Sequence, residues 1–190
     1  MEEIKSFVKK YFDLDLAHAS IEAFACLLKP QQFNKGDLIF NDRSVCKNLY
    51  FIKKGLVKFY FINENGKEVI FRFFAENTYF TSLESFLNHK NAAQFAKAIE
   101  NTEVFFLNKT ELDRLIASHP AVAGVYKSMF ATVNTNMIKR FSELMSCDAA
   151  ERYENFLKNN SALLQRISLG DLASYLGITQ ESLSRIRARK

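Results

Sequence analysis

Hydrophobic positions recur along this chain with two different periods. Ile4, Phe7, Val8, Tyr11 and Phe12 follow helix spacing; after a "DLDL" interruption, Ile21, Phe24, Ala25 and Leu28 do the same. Residues 1–28 are therefore expected to be helical, with Pro30 closing the region. Between 33 and 107 short β-rich runs take over: "DLIF", "NLYFIKKG", "LVKFYFI", "KEVIFRFF" and "AKAIENTEVFFL". Gly36 and Gly55 mark turns, and Asn65-Gly66 in "NENGK" is a hairpin signal between two such runs. Closely spaced short strands predict an all-β sandwich or barrel, with residues 82–90 as a short helical or loop insertion.

Helix spacing returns at 109. "KTELDRLIASHP" predicts a short helix ending before Pro120. From Ala121, the positions Tyr126, Met129, Phe130, Val133, Met137, Phe141 and Leu144 recur every three or four residues, predicting a helix of about 25 residues. That length after a compact β region fits a dimer seam, with packing on the chain's own barrel as the alternative. The remainder, "DAAERYENFLKNN", "SLGDLASYLG" and "TQESLSRIRARK", predicts a small helical unit. Domains are accordingly expected at 1–120, 121–146 and 147–190.

Within that unit, Leu169 is suited to begin a helix capped by Ser168, and Gly177 to supply a positive-φ turn. Ala173 is small where two helices would cross. Thr179 is placed to cap a second helix, and Leu172, Leu176, Ile178, Leu183 and Ile186 to point inward. A small residue, a turn glycine and apolar pins at these spacings characterise a helix-turn-helix. Its exposed face would carry Thr179, Gln180, Glu181, Ser184, Arg185 and Ala188. Gln180, Glu181 and Arg185 can pair with adenine, cytosine and guanine edges respectively. Thr179, Ser182, Ser184, Arg187, Arg189 and Lys190 suit phosphate contacts, which hold register without reading sequence. The bland alternative is an amphipathic helix with a solvated basic end.

Charge sharpens this picture. The chain has 190 residues and a formal charge of +5. The excess sits late, because residues 121–190 hold ten basic side chains against six acidic ones. A basic end on a near-neutral body fits nucleic acid. Cys26, Cys46 and Cys147 are scattered without a CxxC pair, which argues against a disulfide framework or zinc site and for a cytoplasmic protein. No signal peptide and no membrane-length apolar run is present, so no membrane partner is expected.

The order "NKGDLIF", "IKKGLVKFYF", long helix and terminal "LASYLGITQESLSRIR" resembles the CRP/FNR family of bacterial transcription regulators, over about residues 20–190, and most closely its Bacteroidetes-type branch. The resemblance implies an α+β chain: an N-terminal double-stranded β-helix (a jelly-roll of the cyclic-nucleotide-binding type), a long dimerisation helix, and a small C-terminal winged helix-turn-helix. It also implies double-stranded DNA, a second copy through 121–145, and RNA polymerase as partners. The family's base-contacting positions match Gln180, Glu181 and Arg185; Gln180 stands where the cyclic-AMP receptor has an arginine, so the operator should differ there. A wing either lies at residues 160–168, the only room for one, or is missing, and the chain's end at Lys190 leads us to expect modest DNA affinity that leans on dimerisation.

The effector cassette departs from the pattern. Cyclic-AMP-binding members carry Gly-Glu-Leu, then Arg-Ser; here Thr81-Ser82-Leu83 and Ala92-Ala93 occupy those places. The ribose acceptor and the phosphate-binding guanidinium are both lost, so control by cyclic AMP is not expected. Lys90 and Lys97 are nearby cations, and His89 is the loop's candidate ligand. The family's iron–sulfur sensor would need clustered N-terminal cysteines, and haem a well-placed His or Cys, so no cofactor or metal is predicted. Phe71, Phe73, Phe74, Tyr79, Phe80, Phe86 and Phe95 either fill the barrel or enclose an apolar effector. The competing function is a small-molecule sensor whose helical end docks on a protein. An enzyme such as a cupin-like metal oxygenase is disfavoured, since the β region holds one histidine.

Overall fold

The computed structural model describes residues 2, 4, 6–8 and 18–188. Tyr11 and Phe12 of the predicted first helix, and Arg189 and Lys190 of the predicted phosphate contacts, lie outside the described residues. Ile4, Phe7 and Val8 are helical, and Val8 is buried in the core.

After α1 (His18–Leu27) come eight strands: β1 (Lys29–Phe33), β2 (Leu38–Phe40), β3 (Asn48–Lys54), β4 (Val57–Ile62), β5 (Glu68–Phe74), β6 (Tyr79–Phe80), β7 (Phe95–Ala98) and β8 (Thr102–Asn108). The short helix α2 (Leu83–Asn88) interrupts them between β6 and β7. They form two antiparallel four-stranded sheets in the orders β1-β8-β3-β6 and β2-β7-β4-β5, a jelly-roll sandwich. Helices follow: α3 (Lys109–Ser118), α4 (Pro120–Ser146), α5 (Ala149–Asn160), a 3₁₀ turn (Ser161–Leu163), α6 (Leu169–Leu176) and α7 (Gln180–Ala188).

Strands β3 and β8 read as unbroken apolar runs because both of their faces are covered. Tyr50, Ile52 and Val104 point between the sheets, with Val57, Phe59, Phe74 and Ala96 from the second sheet. Leu49, Phe51, Phe105 and Leu107 point the other way, onto α1, α3 and the first half of α4. A third core, in the C-terminal helical unit, gathers Tyr153, Phe156, Leu163, Ile167, Leu172, Ala173, Leu176 and Leu183. It is completed by Leu56, a fully buried residue that the barrel contributes.

Two expectations change. Pro30 does not merely end the helical region; it lies inside β1, where an edge strand paired on one side can lack an N–H. The run at 96–107 is two strands in different sheets, separated by residues 99–101. The Asn65-Gly66 hairpin forms as expected, its loop being residues 63–67, since Ile62 pairs with Glu68. Asn63 organises it: its Oδ1 accepts from the amides of Asn65 (3.1 Å) and Lys67 (3.0 Å), leaving Gly66 at φ +72°. Among the described residues no strand follows β8, so 160–168 forms 3₁₀ and turn structure in place of a wing.

Candidate nucleic-acid interface and effector cavity

The C-terminal pair α6–α7 is held by local chemistry that the residue types dictate. Ser168 Oγ accepts from the Asp171 amide at 3.0 Å, capping α6. At the other end Gly177 adopts φ +70°, with its amide donating to Ser174 O (3.1 Å) and the Ile178 amide to Ala173 O (3.0 Å). This is the paired closure of a Schellman turn, which needs a left-handed residue at that point. Arg152 Nε donates to Leu176 O at 2.9 Å, and Arg140 of α4 donates to Tyr175 O while lying 3.9 Å from the Tyr175 ring centre. Two cations thus serve the last carbonyls of α6.

Thr179 Oγ1 accepts from the Ser182 amide at 3.2 Å, capping α7. Leu183 is fully buried and Ile178 and Ile186 pack beside it, which pins one face of α7. The opposite face leaves Gln180, Glu181, Ser184, Arg185 and Arg187 exposed. Ser182 is half-buried and accepts at its Oγ from Arg185 Nη2 (3.2 Å). The Glu181 carboxyl sits below its usual range because its own amide and the Thr179 hydroxyl donate to it, so it presents an acceptor at neutral pH. Gln180 lies across the start of α6: a Cβ on Gly170 would stand 2.8 Å from Gln180 Nε2.

The helical unit is docked on the barrel through polar bonds that sequence spacing could not show. Lys58 on β4, buried, bonds Glu68 (2.6 Å) and Asp171 of α6 (2.9 Å). Burial would pull this lysine down, but the two carboxylates outweigh it and hold it above its ordinary value. Ser174 Oγ donates to Glu68 O (2.9 Å) and accepts from Ile70 N (3.0 Å), satisfying the open edge of β5. Arg166 forks onto Glu76 (2.8 and 2.9 Å) and onto Glu100 (2.5 and 3.2 Å).

Between the barrel and α4 lies a cavity of about 320 Å³. Phe59, Phe71, Phe74, Tyr79, Phe80 and Phe86 line it from the barrel, and Tyr126, Met129, Phe130 and Val133 from α4. Of the aromatic residues expected there, Phe73 instead faces Tyr175 of α6 (ring centres 5.4 Å apart) and Phe95 stacks on Tyr60 (5.1 Å). Of the cassette positions, Thr81 and Leu83 reach the lining and Ser82, His89, Lys90, Ala92 and Ala93 do not. His89 is the exposed, left-handed C-cap of α2, Lys90 and Ala93 are exposed, and Ala92 is buried in the sandwich core. Ser82 Oγ donates to Gln94 Oε1 (2.8 Å), Ser85 Oγ to Lys90 O (2.5 Å) and Thr81 Oγ1 to Asn48 O (2.9 Å). The loop therefore directs these hydroxyl donors at its own scaffold.

Sequence reasoning missed Arg72. Its guanidinium is half-buried at the cavity wall, 4.9 Å from the Phe74 ring, and has no hydrogen bond or ion pair among the described residues. Burial pulls it below the usual guanidinium value, with Tyr175 and Tyr79 partly opposing. A polar residue breaking the apolar run "VIFRFF" was the available signal. The wall also holds the Tyr126 hydroxyl, buried without a hydrogen-bond partner among the described residues and pushed up to about 12 by burial. Among the described residues no cluster of metal-ligating side chains occurs, and no helix is long and apolar enough to cross a membrane.

A jelly-roll, a long helix and a terminal helix-turn-helix are together the architecture of a transcription regulator. Residues 30–119 match the cyclic nucleotide-binding domain family. The chain is 28% identical to the regulatory protein HlyX of Actinobacillus pleuropneumoniae, over 85% of this chain and 70% of that one. It is 30% identical to the fumarate and nitrate reduction regulatory protein of Yersinia pestis, over 85% and 67%. It thus spans about two thirds of the length of these relatives. FixK2 from Bradyrhizobium japonicum superposes with a TM-score of 0.76 at 21% identity, over 85% of this chain and 83% of that one. The chain belongs to the CRP/FNR family of transcription regulators.

Proposed function

We propose that the protein regulates transcription by binding a roughly palindromic DNA operator as a homodimer, with residues 1–120 as sensor, 121–146 as dimerisation helix and 147–190 as reader. One observation carries the reading: α7 is pinned by Leu183 and a Schellman turn while its polar face stands exposed. A pinned helix with an exposed array of donors and acceptors, held in part by a bond within α7 and by Gln180 lying across the start of α6, suits the major groove. Gln180, Glu181 and Arg185 would face base edges; Thr179, Ser182, Ser184 and Arg187, with Arg189 and Lys190, would face phosphates.

The second half of α4 supports the dimer. Met137, Ile138, Phe141, Leu144 and Met145 are all exposed, Phe141 at 65% and Met145 at 72%. A contiguous apolar face on a helix that leaves the barrel matches a self-complementary seam. Two such chains would set their α7 helices about 34 Å apart, one turn of duplex. RNA polymerase, which a regulator bound beside a promoter meets, is the further partner of this reading. Cyclic AMP is not the proposed effector, because the positions of its ribose and phosphate partners hold Ser82 and Ala92.

Random-site selection with the purified chain tests the proposal. A palindromic consensus is expected, with binding that weakens steeply as salt rises. Arg185→Ala and Gln180→Ala should each relax preference at particular base pairs by about 1–3 kcal/mol. Absence of any duplex preference at low salt would overturn it and leave protein docking as the role of α7.

A further inference from the structure

Most buried and half-buried cations of this molecule hold a carboxylate or a carbonyl; among the described residues Arg72 and Lys97 do not, and of the two only Arg72 borders a cavity. Lys58 holds Glu68 and Asp171, Arg140 holds Glu143, and Arg166 holds Glu76 and Glu100. Arg72 has neither a carboxylate nor a carbonyl among the described residues. Five N–H donors removed from part of their water and given only the Phe74 ring in return are a cost that a bound anion would recover.

The cavity beside it defines the rest of the ligand. Arg72 is the single charged side chain in its lining, which is otherwise mostly aromatic and aliphatic. One fixed cation fits one negative charge, and a planar fork fits a carboxylate bidentately. A sugar or a base would need several further polar partners; Tyr79 Oη donates to Met129 O and Gln94 Oε1 accepts from Ser82, which leaves chiefly Asn134 and the Tyr126 hydroxyl. The adjoining loop spends the hydroxyls of Thr81, Ser82 and Ser85 on internal bonds. We propose that this cavity binds a small monocarboxylate with an apolar body, its carboxylate on Arg72 and its body among Phe59, Phe74, Phe80 and Met129. Such a ligand is also positioned to act on the reader. Phe71, Arg72 and Met137 line both this cavity and a second cleft of about 640 Å³, where Arg140 of α4 meets Tyr175 of α6. Neutralising Arg72 would alter the charge at that junction.

The test is calorimetric titration of the full-length chain, without DNA, with biphenylacetate and decanoate, each against its own primary amide. At least one acid should bind tenfold or more tightly than its amide, since a charge-assisted pair at a partly dry site has about that worth. In Arg72→Gln the acid should fall to the affinity of the amide, and the amide should change less than threefold. Should Arg72→Gln melt early, Arg72→Lys replaces it: charge without the fork, with an intermediate acid preference. Equal binding of acid and amide to the unaltered chain, no binding of any of the four, or a preference that survives loss of Arg72 would each overturn the proposal. So would displacement of a bound acid by equimolar cyclic AMP. Because no duplex is present, these outcomes are independent of the operator reading, which random-site selection scores separately.

Discussion

The two halves of α4 look alike in sequence and meet opposite fates. In the first half Val122, Val125 and Met129 are buried against α3 and the outer face of β3 and β8. In the second half Met137, Ile138, Phe141, Leu144 and Met145 carry the same spacing and stand in solvent. Periodicity reports that a helix has an apolar face; it does not report what covers that face. The barrel extends along only part of the helix, and beyond it the stripe stands largely exposed, with Leu144 beside Gly177. One helix therefore has two surroundings: it closes the cavity with Tyr126, Met129, Phe130 and Val133, then exposes the apolar face on which the proposed dimer rests.

The contrast can be broken by placing the same charge in each half. Val125→Asp should cost about 3–5 kcal/mol, an unpaired charge in a packed core, and should appear as a large loss in denaturant midpoint. Phe141→Asp should leave that midpoint unchanged when measured on monomer, yet weaken the dimer about a hundredfold in sedimentation equilibrium. If Phe141→Asp unfolds the chain, the second half of α4 is core and the seam is wrong.

A smaller effect sharpens how the halves are tied to the reader. Arg166→Gln removes the fork to Glu76 and Glu100 and should cost about 1–2 kcal/mol, as increased amide exchange across α6 and β5. Burial raises the Glu76 carboxyl, but Arg166 and the Gly55 amide outweigh burial and hold it below the usual range. A carboxyl depressed in the folded state stabilises above its unfolded value and loses that share as pH falls through its folded one. The docking should therefore be intact at neutral pH and loosen below the ordinary carboxylate range, and Arg166→Gln should flatten that acid limb. Smallest is Gly177→Ala, where a Cβ at φ +70° should cost about 1 kcal/mol, with Gly177→Asn costing less. Thermal melts of the two variants compare them directly.

Legibility followed the range of the interactions. The helix-turn-helix was readable because its determinants are local: Ser168 and Thr179 as caps, Gly177 as left-handed turn, Ala173 and Leu183 as buried pins, all within sixteen residues. β1 was not, because Lys29–Phe33 has no apolar alternation and is a strand only by pairing with β8, some seventy residues on. The seven aromatic residues assigned jointly to the barrel separated once the sheets formed, with Phe73 turned to α6 and Phe95 to Tyr60. Lys58 and Ser174 carried no signal, since a lysine in a strand and a serine in a helix are ordinary until their partners are known.

The sequence by itself determined the order of parts, the amphipathic periods, the exposed polar face of α7 and the loss of the cyclic-nucleotide partners. Those follow from backbone preference and residue type within a few positions. The tertiary structure alone decided which half of α4 is core, which cations are paired, and that Arg72 is left without an anion beside an apolar cavity. Pairing and burial depend on which distant segments share a face, a property that no short window of the chain contains.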